Sequence, residues 1–273
     1  VRVPTLHVQN EGSIEIYYET RGEGPPVILV GGLTSTAAVW GLQVPALASR
    51  YRVITPDNRG SGRTRLESDD GVRTPARFAG DVLALIDGLE LDRVHLAGAS
   101  MGGMIVQEFA RHHADRLKSL TIMCSTFGGE HATHPTREVI SAMAAGSGAD
   151  ASDEEKRAMQ ATNIHPDTPR LRPEQLAFYE GTKTAEPHSS QEIALRMAGI
   201  TDFNVHDEIT KLTLPVLVMA GSHDVLVPTI NASKLAERIP GARKVIVEDA
   251  GHVFFAEQPE ACNQALLDFL NEV

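Results

Sequence analysis

The stretch Val94-His95-Leu96-Ala97-Gly98-Ala99-Ser100-Met101-Gly102-Gly103-Met104-Ile105-Val106 constrains the fold more than any other part of the chain. An apolar run too short for a helix meets a turn of small residues and then an amphipathic helical pattern, which predicts strand, turn and helix. Gly98-x-Ser100-x-Gly102 is the nucleophile-elbow pattern, a sharp turn that needs small residues on both sides so that strand and helix can approach. Such a turn lifts the Ser100 hydroxyl above a sheet and sets it at the N-terminus of the next helix. There the Met101 N–H has no helical acceptor and is free to donate to an oxyanion.

The segments around this stretch predict an α/β protein. His7-Val8-Gln9 and Ser13 to Glu19 alternate about Asn10-Glu11-Gly12, the pattern of an antiparallel hairpin at one edge of a sheet. Pro26 to Val30, Tyr51 to Asp57, Leu117 to Met123, Leu214 to Ala220 and Ala242 to Val247 predict five further strands, with crossover helices over Arg77 to Leu89 and Thr229 to Ile239 and a closing helix over Gln258 to Leu270. Between about Phe127 and Asn204 the alternation stops. Helical blocks there start at Thr136, at the capping box Ser152-x-x-Glu155, at Pro173 and at Ser189-x-x-Glu192, which predicts an inserted helical subdomain.

The Gly98-Ala99-Ser100-Met101-Gly102-Gly103 turn resembles the elbow of the α/β-hydrolase family, and the likeness extends over nearly the whole chain. The resemblance implies a mostly parallel eight-stranded sheet with helices on both faces, a core of residues 1–127 and 205–273, and a helical cap, or lid, at 128–204. Gly31-Gly32-Leu33-Thr34-Ser35 stands where the family carries a His-Gly-x loop. Gly31 replaces the usual histidine, and the second oxyanion donor maps onto the Leu33 N–H. Gly221-Ser222-His223-Asp224 resembles the turn that carries the family's acid. A competing carboxylate after the preceding strand is missing from Cys124-Ser125-Thr126-Phe127, with no acid until Glu130. His252 follows the last strand, so Ser100, Asp224 and His252 occur in the chain order that this fold imposes. Met143, Phe178 and Tyr179 are candidates for the substrate pocket under the cap, alongside Met159 and Met197.

These residues imply hydrolysis of a small to medium carboxylic ester or lactone through an acyl-enzyme on Ser100, most similar to esterases and enol-lactone hydrolases of the 3-oxoadipate type. Serine at the elbow disfavours epoxide opening and dehalogenation, for which relatives carry aspartate. Carbon–carbon bond hydrolysis, perhydrolysis and cofactor-free oxygenation use the same three side chains and remain alternatives, as does a ligand receptor of the same fold without turnover. No phosphate-binding loop, dinucleotide fingerprint or metal-ligand spacing occurs, so neither cofactor nor metal is expected. The adjacent pair His112-His113 lacks the i, i+4 spacing of metal ligands and reads as a polar helix end.

Composition narrows the partners. Lys and Arg total 25 against 36 Asp and Glu, a formal charge of −11 that disfavours nucleic acid and anionic membranes. The start of the chain lacks the apolar core of a secretory signal, and the expected place is the cytoplasm. Cys124 and Cys262 are too few for a disulfide framework and read as buried small hydrophobes. Arg59, in the glycine-rich turn Asn58 to Arg63, invites a substrate-carboxylate role. A structural ion pair with a neighbour such as Asp57 is the favoured reading.

Overall fold

The computed structural model describes residues 4–146, 151–185 and 188–273, so Val1 to Val3 at the start of the chain lie outside the described residues. β1 (Thr5–Gln9) and β2 (Ser13–Arg21) form the antiparallel hairpin, followed by β3 (Pro26–Val30), the short α1 (Val44–Leu47), β4 (Arg52–Pro56), the two-residue β5 (Arg65–Leu66) and α2 (Pro75–Gly88). β6 (Val94–Ala99), α3 (Met101–His113) and β7 (Leu117–Met123) follow. Five helices then precede the next strand: α4 (Arg137–Gly146), α5 (Asp153–Ala161), α6 (Thr168–Leu171), α7 (Pro173–Ala185) and α8 (Ser190–Ile200). The chain closes with β8 (Val216–Gly221), α9 (Ile230–Arg238), β9 (Arg243–Val247), α10 (Phe254–Glu257) and α11 (Pro259–Leu270).

Among the described residues the strands make one sheet in the order β1-β2-β4-β3-β6-β7-β8-β9, eight strands as expected, with β5 pairing the side of β2 as a ninth. From β4 to β9 every pairing is parallel. Successive residues of the central strands face opposite sides. Ile28 and Val30 pack with Leu85, Ile105 and Leu235 of α2, α3 and α9, whereas Val27 and Leu29 pack with Leu47, Leu266 and Phe269 of α1 and α11. A strand covered on both faces needs apolar residues at every position, which explains the unbroken runs in the sequence.

The capping signals hold. Thr136 accepts from Val139 N at the start of α4, Ser152 and Glu155 form a reciprocal capping box on α5, Pro173 opens α7, and Ser189 accepts from Glu192 N on α8. No helix among the described residues is long and apolar enough to cross a membrane. α6 and α10 are single turns that the sequence reading did not include, too short for a periodic pattern. Arg59 does pair structurally, but with Asp81 of α2 (2.9 and 2.6 Å) and not with Asp57. Asp57 is occupied by the Ala37 and Arg63 N–H groups. α2 brings Asp81 to the guanidinium across 22 residues of chain, which local spacing does not encode.

Two histidines are held neutral by the fold. His95 lies inside β6 with Nδ1 2.8 Å from Ser119 Oγ, and burial, with Lys118 nearby, pushes its imidazole down to about 4. His188 lies 3.0 Å from Ser61 Oγ and is pushed down to about 4 by burial and by the Arg196 charge. Unfolded histidine titrates near 6.5, so between pH ~6.5 and ~4 the unfolded chain binds protons that the folded one does not. Stability is therefore complete above that window and falls as the pH drops through it. Melting curves at pH 7.5 and 5 are expected to show the midpoint falling by roughly 5 °C, and by less in His95→Asn.

Candidate functional site

The sheet order reverses beside β3: the chain passes from β3 to β4 on one side and then crosses to β6 on the other. The connections leaving β3 and β6 run to opposite sides at this point, and the carboxyl ends of strands at such a reversal are where open α/β sheets bind ligands. The two stretches singled out for oxyanion donation and for the nucleophile are those two loops.

At the elbow Ser100 has φ 58° and ψ −119°, a left-handed conformation that costs a non-glycine residue roughly 1–3 kcal/mol and persists only where surroundings enforce it. They do. Ser100 N donates to Met123 O at 2.9 Å, and Ser100 O accepts from Gly103 N, Met104 N and Ser125 Oγ. The flanking glycines are required by contact: a Cβ on Gly98 would stand 2.2 Å from Gly102 O, and one on Gly102 would stand 2.3 Å from Val30 O. Both obstacles are backbone, which cannot rotate away. Gly102→Ala is thus expected to cost more than about 3 kcal/mol, comparable to overpacking a core, read as a lower denaturant midpoint or loss of soluble protein.

The loop after β3 reaches the elbow. A Cβ on Gly32 would lie 3.2 Å from Ser100 Cβ. Asn58 Nδ2 donates to Gly31 O at 2.9 Å and Ser35 N donates to Gly32 O at 3.3 Å, so the peptide that carries the Leu33 N–H is held from its carbonyl side. Among the described residues neither the Leu33 N–H nor the Met101 N–H donates a hydrogen bond. The Ser100 hydroxyl likewise has no hydrogen-bond partner among them.

Asp224 and His252 come together as expected from the order of the strands. His252 Nδ1 lies 2.8 Å from Asp224 Oδ2, both side chains being buried. The other carboxylate oxygen, Oδ1, accepts from Leu226 N at 3.0 Å and Val227 N at 2.8 Å. A carboxylate can only accept, so Nδ1 carries the proton in this pair and Nε2 is left as the basic nitrogen. The loops after β8 and β9 are joined to keep this geometry: Ser222 N donates to Val247 O and His223 N to Ala250 O, both at 2.9 Å. Glu130, the alternative acid, is 89 % exposed and sits against His131.

One carboxylate in this region escaped the sequence reading. Glu257 is buried and accepts from Gly251 N at 2.7 Å, His165 N at 2.7 Å and Thr168 Oγ1 at 2.5 Å. Val253 N adds a bond to Asn163 O at 3.0 Å. The backbone on both sides of His252 is thereby tied to the segment that leads into α6. The available signal was a single acid closing the apolar run Val253-Phe254-Phe255-Ala256.

The other residues singled out fall as follows. Met143 lies between α4 and α5, its sulfur accepting from Thr162 Oγ1 at 3.2 Å. The Phe178 ring presses on Gly41, and Tyr179 is buried with Trp40, Ile164 and Phe255. Met159 packs over Gly146, whereas Met197 is half exposed. Cys124 and Cys262 are buried free thiols, both pushed up by burial. His112 and His113 end α3, with His112 beside Glu108.

Comparison with known proteins bears on this geometry. The family model described as alpha/beta hydrolase fold matches residues 25–259. The "Putative carbamate hydrolase RutD" of Azorhizobium caulinodans is 30% identical over 265 residues, 96% of this chain and 97% of that protein. A thermophilic esterase from Thermogutta terrifontis superposes with a TM-score of 0.84 at 26% identity, over 98% of both chains. The enol-lactonase from Burkholderia xenovorans LB400 does so at 0.81 and 25%, over 94% of this chain and 97% of that one.

Proposed function

Because this chain belongs to the α/β hydrolase fold family, we propose that it is a serine hydrolase of small to medium carboxylic esters or lactones, with Ser100 as nucleophile. The 2.8 Å bond between His252 and Asp224 carries the reading. It leaves Nε2 basic at the edge of the sheet where the strained Ser100 turn ends β6. In this proposal His252 Nε2 takes the Ser100 proton as Oγ attacks the carbonyl carbon, and Asp224 stabilises the resulting imidazolium. The carbonyl oxygen becomes an oxyanion that accepts from the Leu33 and Met101 N–H groups, each donor being worth about 3 kcal/mol in the transition state. Collapse expels the alcohol, which takes the proton from His252. Water then attacks the acyl-enzyme by the same route and frees the acid.

A carbamate presents the same carbonyl to the same nucleophile, and the 30% identical relative named for carbamate hydrolysis supports including that class. The enol-lactonase and esterase names support lactones and esters. We read helices α4 to α8 as a cap that shapes the acyl and alcohol sites. Phe178 and Tyr179 on α7 are positioned against Gly41 and Trp40 of the turn after β3, and Met143 supports the α4–α5 contact.

The test is a graded panel of p-nitrophenyl esters, lactones and aryl carbamates with wild type and Ser100→Ala. Turnover by wild type that vanishes in the variant is the expected result. Equal rates in the two would end the proposal.

A further inference from the structure

Arg196 of α8 is wholly buried, so its guanidinium is not open to solvent. Four of its five N–H donors are spent on protein acceptors. Nε donates to Glu192 Oε1 at 2.8 Å, Nη1 to Leu33 O at 2.6 Å, and Nη2 to Arg59 O and Ser61 Oγ, each at 2.7 Å. Glu192 is shared with Arg73, which also holds the exposed Asp69, so two buried guanidinium groups are balanced by one buried and one exposed carboxylate. The turn makes room for it: a Cβ on Gly60 would stand 2.4 Å from the Glu192 carboxylate, and Gly60 has φ +70°. These contacts seat α8 over the loop after β3, the turn after β4 and the stretch that leads into α2.

The Leu33 contact is the informative one. Three consecutive carbonyls of the loop after β3 are each held by a different group: Gly31 O by Asn58, Gly32 O by Ser35 N and Leu33 O by Arg196. The first clamp comes from the turn after β4 and the second from the loop itself, whereas the third comes from a helix that lies between β7 and β8. Holding Leu33 O fixes the backbone rotation after Leu33, and holding Gly32 O fixes the peptide plane before it. Together they fix where the Leu33 N–H points. We infer that Arg196 is a positioning residue, coupling the seat of α8 to the aim of the Leu33 N–H; the inference rests on the serine-hydrolase reading above.

The choice of arginine follows. Spanning four acceptors on three segments needs a planar fork, and a lysine ammonium is a single point that reaches one or two of them. Arg196→Lys keeps the charge opposite Glu192 while releasing the loop, and Arg196→Met keeps most of the packing volume without donors. Both leave Ser100, Asp224 and His252 untouched.

With p-nitrophenyl butyrate as probe, both variants are expected to lose about tenfold or more in kcat with KM within twofold, since a misaimed donor weakens the transition state and not the bound ester. Affinity for phenylboronic acid, which adds to the serine as a tetrahedral anion, is expected to fall by the same factor. Amide exchange of residues 31–36 is expected to quicken about tenfold or more, with residues 94–106 unchanged, and this readout needs no substrate. Absence of turnover in wild type, or equal turnover in Ser100→Ala, would count against the parent reading while exchange still decides the coupling. Folded variants with kcat within twofold of wild type, or with unchanged exchange at 31–36, would overturn the inference. Loss of the folded circular-dichroism signal in both would overturn it too, because Arg196 would then support the whole fold and not one loop.

Discussion

Ser100→Ala is expected to lower kcat for an aryl ester by on the order of 10⁴-fold or more, with the fold intact. The hydroxyl makes no hydrogen bond among the described residues, so its removal breaks nothing that holds the turn. The bonds that enforce the elbow run through the Ser100 backbone, and alanine keeps them. Alanine adopts a positive φ no more readily than serine, so stability should change by less than about 1 kcal/mol. Any residual rate reports the Leu33 and Met101 donors and general binding, which accelerate attack by water without a nucleophile on the enzyme. Steady-state kinetics beside a thermal melt separates the two effects. A rate loss accompanied by unfolding would speak against this account of the turn.

Asp224→Asn should be nearly as damaging, by about 10³- to 10⁴-fold in kcat, for a reason legible in the hydrogen bonds. Leu226 N and Val227 N both donate to Oδ1, so an asparagine must place its amide oxygen there and its NH₂ at the Oδ2 position facing His252. An NH₂ cannot accept from Nδ1–H. The ring then takes the other tautomer, with Nδ1 as acceptor and the proton on Nε2, where the base is needed. Because the substitution is isosteric and keeps two of its bonds, the melting point should move by only a few degrees. KM should stay within about threefold, since no ground-state contact is lost. A kcat within tenfold of wild type would show that Asp224 does not set the tautomer.

Both effects rest on groups that the sequence singled out. The elbow was legible because a strained turn between strand and helix tolerates so few residues: backbone lies within 2.2 and 2.3 Å of the missing Cβ atoms of Gly98 and Gly102. Central strands were legible because burial on both faces demands unbroken apolar runs, and helix starts because Ser152 and Ser189 accept from backbone N–H groups within one turn while Pro173 supplies a fixed φ and needs no acceptor. What escaped were the hydrogen bonds of Arg59, Arg196 and Glu257, whose partners lie far along the chain. Arg59 pairs with Asp81 across 22 residues, Arg196 reaches Leu33 across 163, and Glu257 reaches His165 across 92.

The boundary between the two kinds of knowledge is physical. Steric and hydrogen-bonding demands that act within about one turn leave their mark on neighbouring letters, so the chain by itself determined the layered α/β sheet and the Ser100 turn, while chain order and family resemblance supplied the candidates Asp224 and His252. Tertiary structure alone decided that His252 meets Asp224 with Nδ1, that Glu257 ties the loop behind it, and that α8 grips the turn after β3. A long-range contact depends on where two rigid elements come to rest, and many different pairs of residues satisfy any one of those meetings equally well.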